Sequence, residues 1–385
     1  MTGILDAQGS IPDAGDTPDV VGRWRPGRVS VVIPAYNAAE TVGEAVASCL
    51  AQRHPDFEVI VVNDGSTDAT GEVLASFGNR ITVITQRNGG LASARNAGQR
   101  AASGEFLAWM DADDLAAPER LQVQSRVLEV HPEIGLVSSD FTAFTDPATD
   151  DDPAHWASYY STVSQCGGLP GIYPDTLMAV DLKGRAATVR SGRVDGLLVH
   201  GNVVHPPTVM VRRQLLEESG DSDESLRYSS DYDLILRMAR RARFAHVDAA
   251  LLRYRRSPGQ MSWLHAGHAM QLETVRILDK VAREAPDLAQ REAPMIRRRK
   301  AESLVAAAGH VAASDRWRAL RLLVRAARHQ LLLGASTVTL GRMIIPPSMV
   351  PHLKHVARAL FRFTVLVSTS GALAMSDVTD LALGS

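Results

Sequence analysis

Cysteine is scarce in this chain: Cys49 and Cys166 are the two in 385 residues, too few to build a disulfide framework. Cys49 falls on a helical apolar pattern where a buried thiol is the ordinary expectation, so a reducing, cytoplasmic setting is favoured. Lysine is nearly absent too, four among 41 basic residues, which reads as compositional bias and not as a site. Charge of one sign is not in excess, since 41 basic residues face 43 acidic ones, so no global field marks nucleic acid as a partner. No apolar run reaches the roughly 18 residues of a membrane span. The opening MTGILDAQGSIPDAGDTPD has no basic flank followed by an apolar core, so neither secretion nor membrane spanning is expected. A Gly-x-x-x-x-Gly-Lys-Ser/Thr loop is missing, as is a Gly-x-Gly-x-x-Gly after the first strand; the ordinary P-loop and dinucleotide-binding folds are excluded.

What remains is 45% apolar and long enough for one large catalytic domain or a domain with an appendage. Residues 1–27, rich in Gly, Asp and Pro, read as a disordered lead-in. Val29–Ile33 is a β-branched, wholly apolar run closed by Pro34, as in a central parallel strand. Asn37, with Glu40 three residues on, fits the cap of a helix carrying Val42, Ala45, Val46, Cys49 and Leu50. Strands at 57–62, 81–85 and 105–110 alternate with helices at 68–76, 91–102 and 118–130. This is the pattern of an α/β fold with an open, mostly parallel sheet flanked by helices. A short strand is expected at 135–139. Residues 140–200, broken by Asp, Gly and Pro, read as loops and an irregular insert. Strands at 208–211, 244–247 and 251–255 and helices at 212–219 and 231–242 follow, and beyond about residue 263 the pattern is helical.

Three polar clusters fall just after strands, where open α/β sheets bind ligands. They are Pro34-Ala35-Tyr36-Asn37, Asn63-Asp64-Gly65-Ser66-Thr67-Asp68 and Asp111-Ala112-Asp113-Asp114. Each alone also fits a helix cap or turn. Together they crowd acids onto one rim of the sheet, which costs repulsion and suggests a shared cation. Asp111 and Asp113, two apart on an extended segment, share a side, and oxygen ligands suit Mg²⁺ or Mn²⁺, ions that lean on substrate phosphates. A diphosphate ligand follows from that.

Val29–Asn37, Asn63–Asp68, Gly89-Gly90-Leu91-Ala92-Ser93-Ala94-Arg95-Asn96-Ala97-Gly98 and Asp111–Asp114 resemble the successive signatures of family 2 glycosyltransferases with the GT-A fold, a Rossmann-like sheet. The resemblance covers roughly residues 28–256. It implies an inverting transferase that uses a nucleotide-diphosphate sugar, UDP-type first, and a divalent metal, Mn²⁺ or Mg²⁺. The implied domain spans 28–262, with a nucleotide-binding half over about 28–115, an acceptor half over 116–262 and a helical region over 263–385. By the same resemblance Pro34, Ala35, Tyr36, Asn37 and Glu40 line the base and ribose pocket, and Asp64 hydrogen-bonds the nucleobase. Arg95, with Arg87 second to it, supports the diphosphate or the acidic loop. Asp111 faces the ribose or the metal with Ala112 beside it in the donor site, and Asp113 is the chief metal ligand, with Asp111 and then Asp114 as further candidates.

Inversion requires a carboxylate to take the proton of the attacking acceptor hydroxyl. Tyr228–Arg237 resembles the family's Glu-Asp-x-Asp segment and carries the base onto Asp231, with Ser230 where glutamate is common. Asp231 also fits an N-cap ahead of Leu234, Ile235 and Met238. His205-Pro206-Pro207 resembles the segment before the base; His205 is structural or acceptor-lining and no metal ligand, lacking a His or Cys at ligand spacing. Tyr254–Ser262 resembles a loop that often carries histidine, here Ser257, and Arg255 or Arg256 could close over the diphosphate.

The Gln-x-x-Arg-Trp motif of processive synthases is a near miss at Ala313–Trp317, where a helix capped by Ser314 is expected, so one sugar per encounter is implied. His352–Val367 and Arg297–Lys300 are basic; the former fits either a packed helix or peripheral docking on anionic inner-leaflet lipid. The expected acceptor is a saccharide or a lipid-linked one, for envelope or exopolysaccharide synthesis. Two other readings are a catalytically silent nucleotide-sugar-binding scaffold and a sugar-1-phosphate nucleotidylyltransferase. The second usually opens with a Gly-rich loop and a lysine that residues 33–43 lack.

Overall fold

The computed structural model describes residues 24–145, Asp152, 156–182, 184–257 and 267–330. The chain divides into two compact units, residues 1–264 and 265–385. The first begins β1 (Arg25–Ala35), α1 (Val42–Leu50), β2 (Phe57–Asp64), α2 (Thr70–Ala75), β3 (Thr82–Gln86), α3 (Leu91–Ala101) and β4 (Gly104–Trp109). It continues with β5 (Leu115–Ala116), α4 (Arg120–Val130), β6 (Ile134–Phe144) and three short helices, α5 (Trp156–Tyr159), α6 (Ser161–Gln165) and α7 (Gly168–Ile172). Then come β7 (Asp175–Leu182), β8 (Arg185–Gly192), α8 (Asp195–His200), β9 (Met210–Arg212), α9 (Arg213–Ser219), α10 (Ser230–Ala239) and β10 (Arg243–Arg255).

The ten strands form one sheet in the order β3-β2-β1-β4-β9-β6-β10-β8-β7, with β5 paired to β10. Pairing is parallel from β3 to β4 and again between β6 and β10, whereas β9 runs antiparallel between β4 and β6. This is the α/β class expected, an open sheet with a parallel nucleotide-binding half. Its order reverses at β1: the chain leaves towards β2 and β3, then returns to β4 on the other side. A crevice therefore opens outside the carboxyl ends of β1 and β4, where such sheets take ligands.

Helix α3 lies close over that half because Gly98 has no side chain; a Cβ there would run into Val32 and Val62. Gly98→Val should lower stability by about 1–3 kcal/mol through overpacking. Urea denaturation checks this, and an unchanged midpoint would contradict it.

Several elements differ from their sequence-based bounds. β1 starts at Arg25, before Val29, since Arg25 N–H donates to the Ser103 carbonyl just before β4 and Gly27 N–H to the Glu105 carboxylate within it. It also runs through Pro34, because pairing with β4 has ended at Val32 and a missing N–H there breaks only a one-sided ladder. Residues 140–200 are not simply irregular: β6 reaches Phe144, and β7 and β8 form a hairpin that extends the sheet. The two strands expected at 244–247 and 251–255 are one, β10, with register shifts between Val247 and Leu252. Thr208 closes a 3-10 turn and the strand begins at Met210.

The second unit comprises α11 (Gly267–Glu284), α12 (Pro286–Arg291), α13 (Ala293–Val311) and α14 (Arg316–His329). Alanines 301, 307, 308, 319 and 326 let α13 and α14 approach closely around Leu304 and Leu322. The cap of α14 is Asp315, not Ser314: its carboxylate accepts from Arg318 N–H at 2.8 Å. The basic segment 352–367 lies outside the described residues.

Candidate active site

The loops after β1 and β2 are laced together. Asn37 adopts a left-handed φ of 48°, its N–H donates to Ser66 Oγ (3.0 Å), and its Oδ1 accepts from Thr67 N–H (2.8 Å). Ala38 and Ala39 N–H donate to Thr70 Oγ1 and Asp68 Oδ2. Asn37 is thus a loop tie and no helix cap; α1 begins later, behind Thr41. Pro34 and Ala35 are buried at the end of β1, while Tyr36, 52% exposed, and Glu40 stand at the rim.

Asp64 is buried with its carboxylate well supplied with donors. Oδ1 accepts from Gln86 Nε2 (2.7 Å) and Gly89 N–H (2.9 Å), and Oδ2 accepts from Gly90 N–H (2.8 Å). Gly90, at φ 86°, turns the chain into α3. Asp64 therefore fixes the Gly89–Gly90 turn, and its charge is not among those that raise Asp111 or Asp114. Arg87, in the same loop, is exposed and makes no hydrogen bond or ion pair among the described residues.

The second acidic loop is different. A third of the Asp111 side chain is open, and the enclosing protein together with the charges of Asp113 and Asp231 pushes its carboxyl up to about 6, against the pull of Arg95 and Arg120. Asp114 is fully buried and also held well above the usual range, first by burial and then by Asp113 and Asp111. Its Oδ1 accepts from Arg255 N–H (2.9 Å), and its Oδ2 has no partner among the described residues. Ala112 is the half-buried spacer between the two open aspartates.

Arginines brace this loop from three sides. Arg95, 1% exposed, stacks on Trp109 with its guanidinium carbon 4.9 Å from the ring centre and sets Nη2 3.5 Å from Asp111 Oδ1. Its Nε and Nη1 have no partner among the described residues, so two buried donors beside the acids await an acceptor. Arg120 lies beneath, donating to Gln124, to the Trp109 and Val209 carbonyls and to Met110 Sδ; burial lowers it to about 10, still charged at neutral pH. Arg255 does not reach over the crevice. Its Nε donates to the Asp113 carbonyl (2.7 Å), its Nη2 pairs with Glu44 of α1, and its guanidinium lies over Phe144.

Asp231 faces the same crevice from the first turn of α10, near enough for its charge to raise Asp111. It is not the cap, a position held by Ser229; its Oδ1 accepts from Tyr232 N–H at 2.6 Å. The helix N-terminus favours its ionised form. The loop leading to it is pinned by buried Asn96, which bonds Ser222 N–H and carbonyl, and by Arg237, which holds the 219–221 carbonyls and pairs with Asp233. His205 stacks on Phe141 at 4.1 Å and takes part in a 3.0 Å hydrogen bond with the Tyr160 hydroxyl, within an aromatic nest that includes Tyr159 and Tyr254.

The sequence profile of the family described as Glycosyl transferase family 2 matches residues 30–165, the stretch that holds both acidic loops and Arg95. The chain carries a family 2 glycosyltransferase domain. An uncharacterized glycosyltransferase of Rickettsia typhi is 31% identical over 212 residues, 55% of this chain and 58% of its own length. Another, from a Nostoc strain, is 39% identical over 114 residues, 29% of this chain and 35% of its own. The chain thus spans about half the length of the first of these relatives. In fold it is similar to S. aureus TarS 1–349, with a TM-score of 0.51 at 20% identity over 86% of this chain and 87% of that one. The same protein in complex with UDP-GlcNAc gives 0.52.

Sequence reasoning missed the parts that hold this glycosyltransferase domain's acids in place. Arg120, Gln124 and Asn96 sit inside ordinary helical patterns, and nothing in spacing separates a buried bracing arginine from a solvated one. Arg255 was marked in the sequence, but its bonds to the Asp113 carbonyl and to Glu44 were not foreseen.

Proposed function

We propose that this chain is an inverting, non-processive glycosyltransferase that moves a sugar from a UDP-type or similar nucleotide donor to a saccharide or lipid-linked acceptor in envelope or exopolysaccharide synthesis. The observation that carries this reading is the meeting of Asp111, Asp113 and Asp231 with the two unpartnered donors of buried Arg95 at the β1–β4 crevice. The TarS complex with UDP-GlcNAc supports a UDP donor.

The donor set fits a divalent cation. Every candidate ligand is a hard carboxylate oxygen, and burial, with the charges of Asp113 and Asp231, holds Asp111 up at about 6. Among the described residues no group of three His, Cys, Asp or Glu could hold an ion; an ion gripped by one or two carboxylates would take its remaining ligands from the donor's phosphates and water. Asp113 and Asp111 would hold it. When bound, the ion supplies positive charge against the growing negative charge of the leaving nucleoside diphosphate.

Arg95 offers Nε and Nη1 to the diphosphate from a site where water does not compete. Asp64, with one acceptor position left on its carboxylate, takes a nucleobase N–H while it holds the Gly89–Gly90 turn. Pro34 and Ala35 form the buried wall beneath Tyr36, which covers the base. Asp231 accepts the proton of the acceptor hydroxyl as its oxygen bonds to the anomeric carbon and the diphosphate departs from the opposite face, which inverts the centre.

Release of nucleoside diphosphate from UDP-, GDP- and dTDP-sugars in the presence of Mn²⁺ tests this. Release from a UDP-sugar is expected, and none from any donor would overturn the proposal.

The acid cluster also sets a pH dependence. Asp111 titrates higher folded than unfolded, so its contribution to stability is full below about pH 4 and is lost as pH rises through about 6. An ion on the deprotonated pair reverses that repulsion. Mn²⁺ should therefore raise the melting temperature more at about pH 7.5 than at about pH 5. Equal shifts at both values would contradict the assignment.

A further inference from the structure

Helix α14 carries no acid along its length, and its arginines 316, 318, 321, 325 and 328 are all exposed. None of the five makes an ion pair among the described residues. The neighbouring basic run behaves differently: Arg298 pairs with Glu302, and Lys300 with Asp279 at 2.6 Å. The inner face of α14 is already used, since Ala319, Leu322 and Ala326 are buried in the core of the second unit. What faces outward is a stripe in which charge and apolar surface alternate. Trp317, 66% exposed, and Val324, 49% exposed, lie two helical turns apart, with Arg321 between them and Arg328 beyond. A large exposed indole is unfavourable in water, and together with neighbouring guanidinium groups it is well placed where an apolar layer lies under an anionic one. The sequence extends the same bias: residues 316–376 hold nine arginines and lysines and no acid, in a chain whose net charge is −2.

We infer that the outer face of α14 is a docking surface for a bilayer containing anionic phospholipid, with Trp317 and Val324 entering the interface and the arginines lying against the headgroups. The interleaved apolar residues favour this occupant over duplex nucleic acid, whose phosphate backbone would be met by charge alone. This inference rests on the second unit only and stands apart from the donor site, so each can fail without the other.

The test uses the full chain, pelleted with vesicles of phosphatidylcholine alone or with about 30% phosphatidylglycerol, at low and high salt. Binding is expected to the anionic vesicles only and to weaken with salt. The triple variant Arg321→Gln, Arg325→Gln and Arg328→Gln should bind about 100-fold more weakly, with an unchanged helical circular dichroism spectrum and unchanged nucleotide binding. Trp317→Ala should weaken binding about tenfold without changing its salt dependence; this single exposed change keeps the test decisive if the triple variant does not fold. Equal binding to both vesicles, no binding to either, full binding by Trp317→Ala or by a folded triple variant, or a preference for duplex nucleic acid over anionic vesicles at the same salt would each overturn the inference.

Discussion

Asp231→Asn should lower kcat of sugar transfer by about a thousandfold while changing the affinity for nucleoside diphosphate by less than about twofold. Asparagine keeps the size of the side chain and can still accept from Tyr232 N–H, so α10 and the loop pinned by Asn96 and Arg237 should stay in place. What it cannot do is take a proton from the acceptor hydroxyl. Single-turnover transfer and calorimetric binding of the nucleotide, measured on the same preparation, separate the two effects. A variant that keeps more than about a tenth of the wild-type rate would remove Asp231 from the role of base. One that loses nucleotide binding in proportion would make it part of the donor site.

Asp113→Ala has the other large expected effect, and it acts on the opposite quantity. Metal-dependent nucleotide binding should weaken by about 100-fold or more, since the ion loses one of two protein carboxylates. Stability of the metal-free protein should move the other way at neutral pH. The charge of Asp113 helps to lift Asp111 and buried Asp114, so its removal relieves repulsion. A residue present for structure alone would destabilise the protein when truncated. A melting temperature that holds or rises without metal, beside lost stabilisation by Mn²⁺ with nucleotide, is the expected pair of results. A lower melting temperature with undiminished metal-dependent binding would contradict the assignment.

The parallel half of the fold was legible because its strands are buried on both faces and read as short β-branched apolar runs, such as Val29–Ile33 and Val59–Val62. The hairpin of β7 and β8 was not legible, because its half-exposed strands carry Asp175, Thr176, Asp181, Arg185 and Arg190 among their apolar residues. Gly184, at φ 85°, was its one local signal, a left-handed turn residue between two alternating runs. At the site, the sequence placed acids at strand ends but could not tell which of them the backbone supplies with donors. Asp64 and Asp111 both follow apolar strands. One accepts hydrogen bonds from the N–H groups of Gly89 and Gly90, and the other faces Asp113 and Asp231. That difference depends on where the start of α3 meets β2, a tertiary contact between segments more than twenty residues apart. Buried Arg120 escaped for the same reason: it reads as a helix-surface residue until the Trp109 carbonyl is known to lie against it.

Calorimetric titration of UDP into the wild-type chain and into Asp113→Ala, each with and without Mn²⁺, bears most directly on the claim that one crevice grips a nucleotide diphosphate through Asp113, Asp111 and Arg95. Saturable binding that needs both the ion and Asp113 is the predicted result. UDP binding that is indifferent to Mn²⁺ and to Asp113, or absent while GDP or dTDP binds, would contradict the account of the site or of its donor respectively.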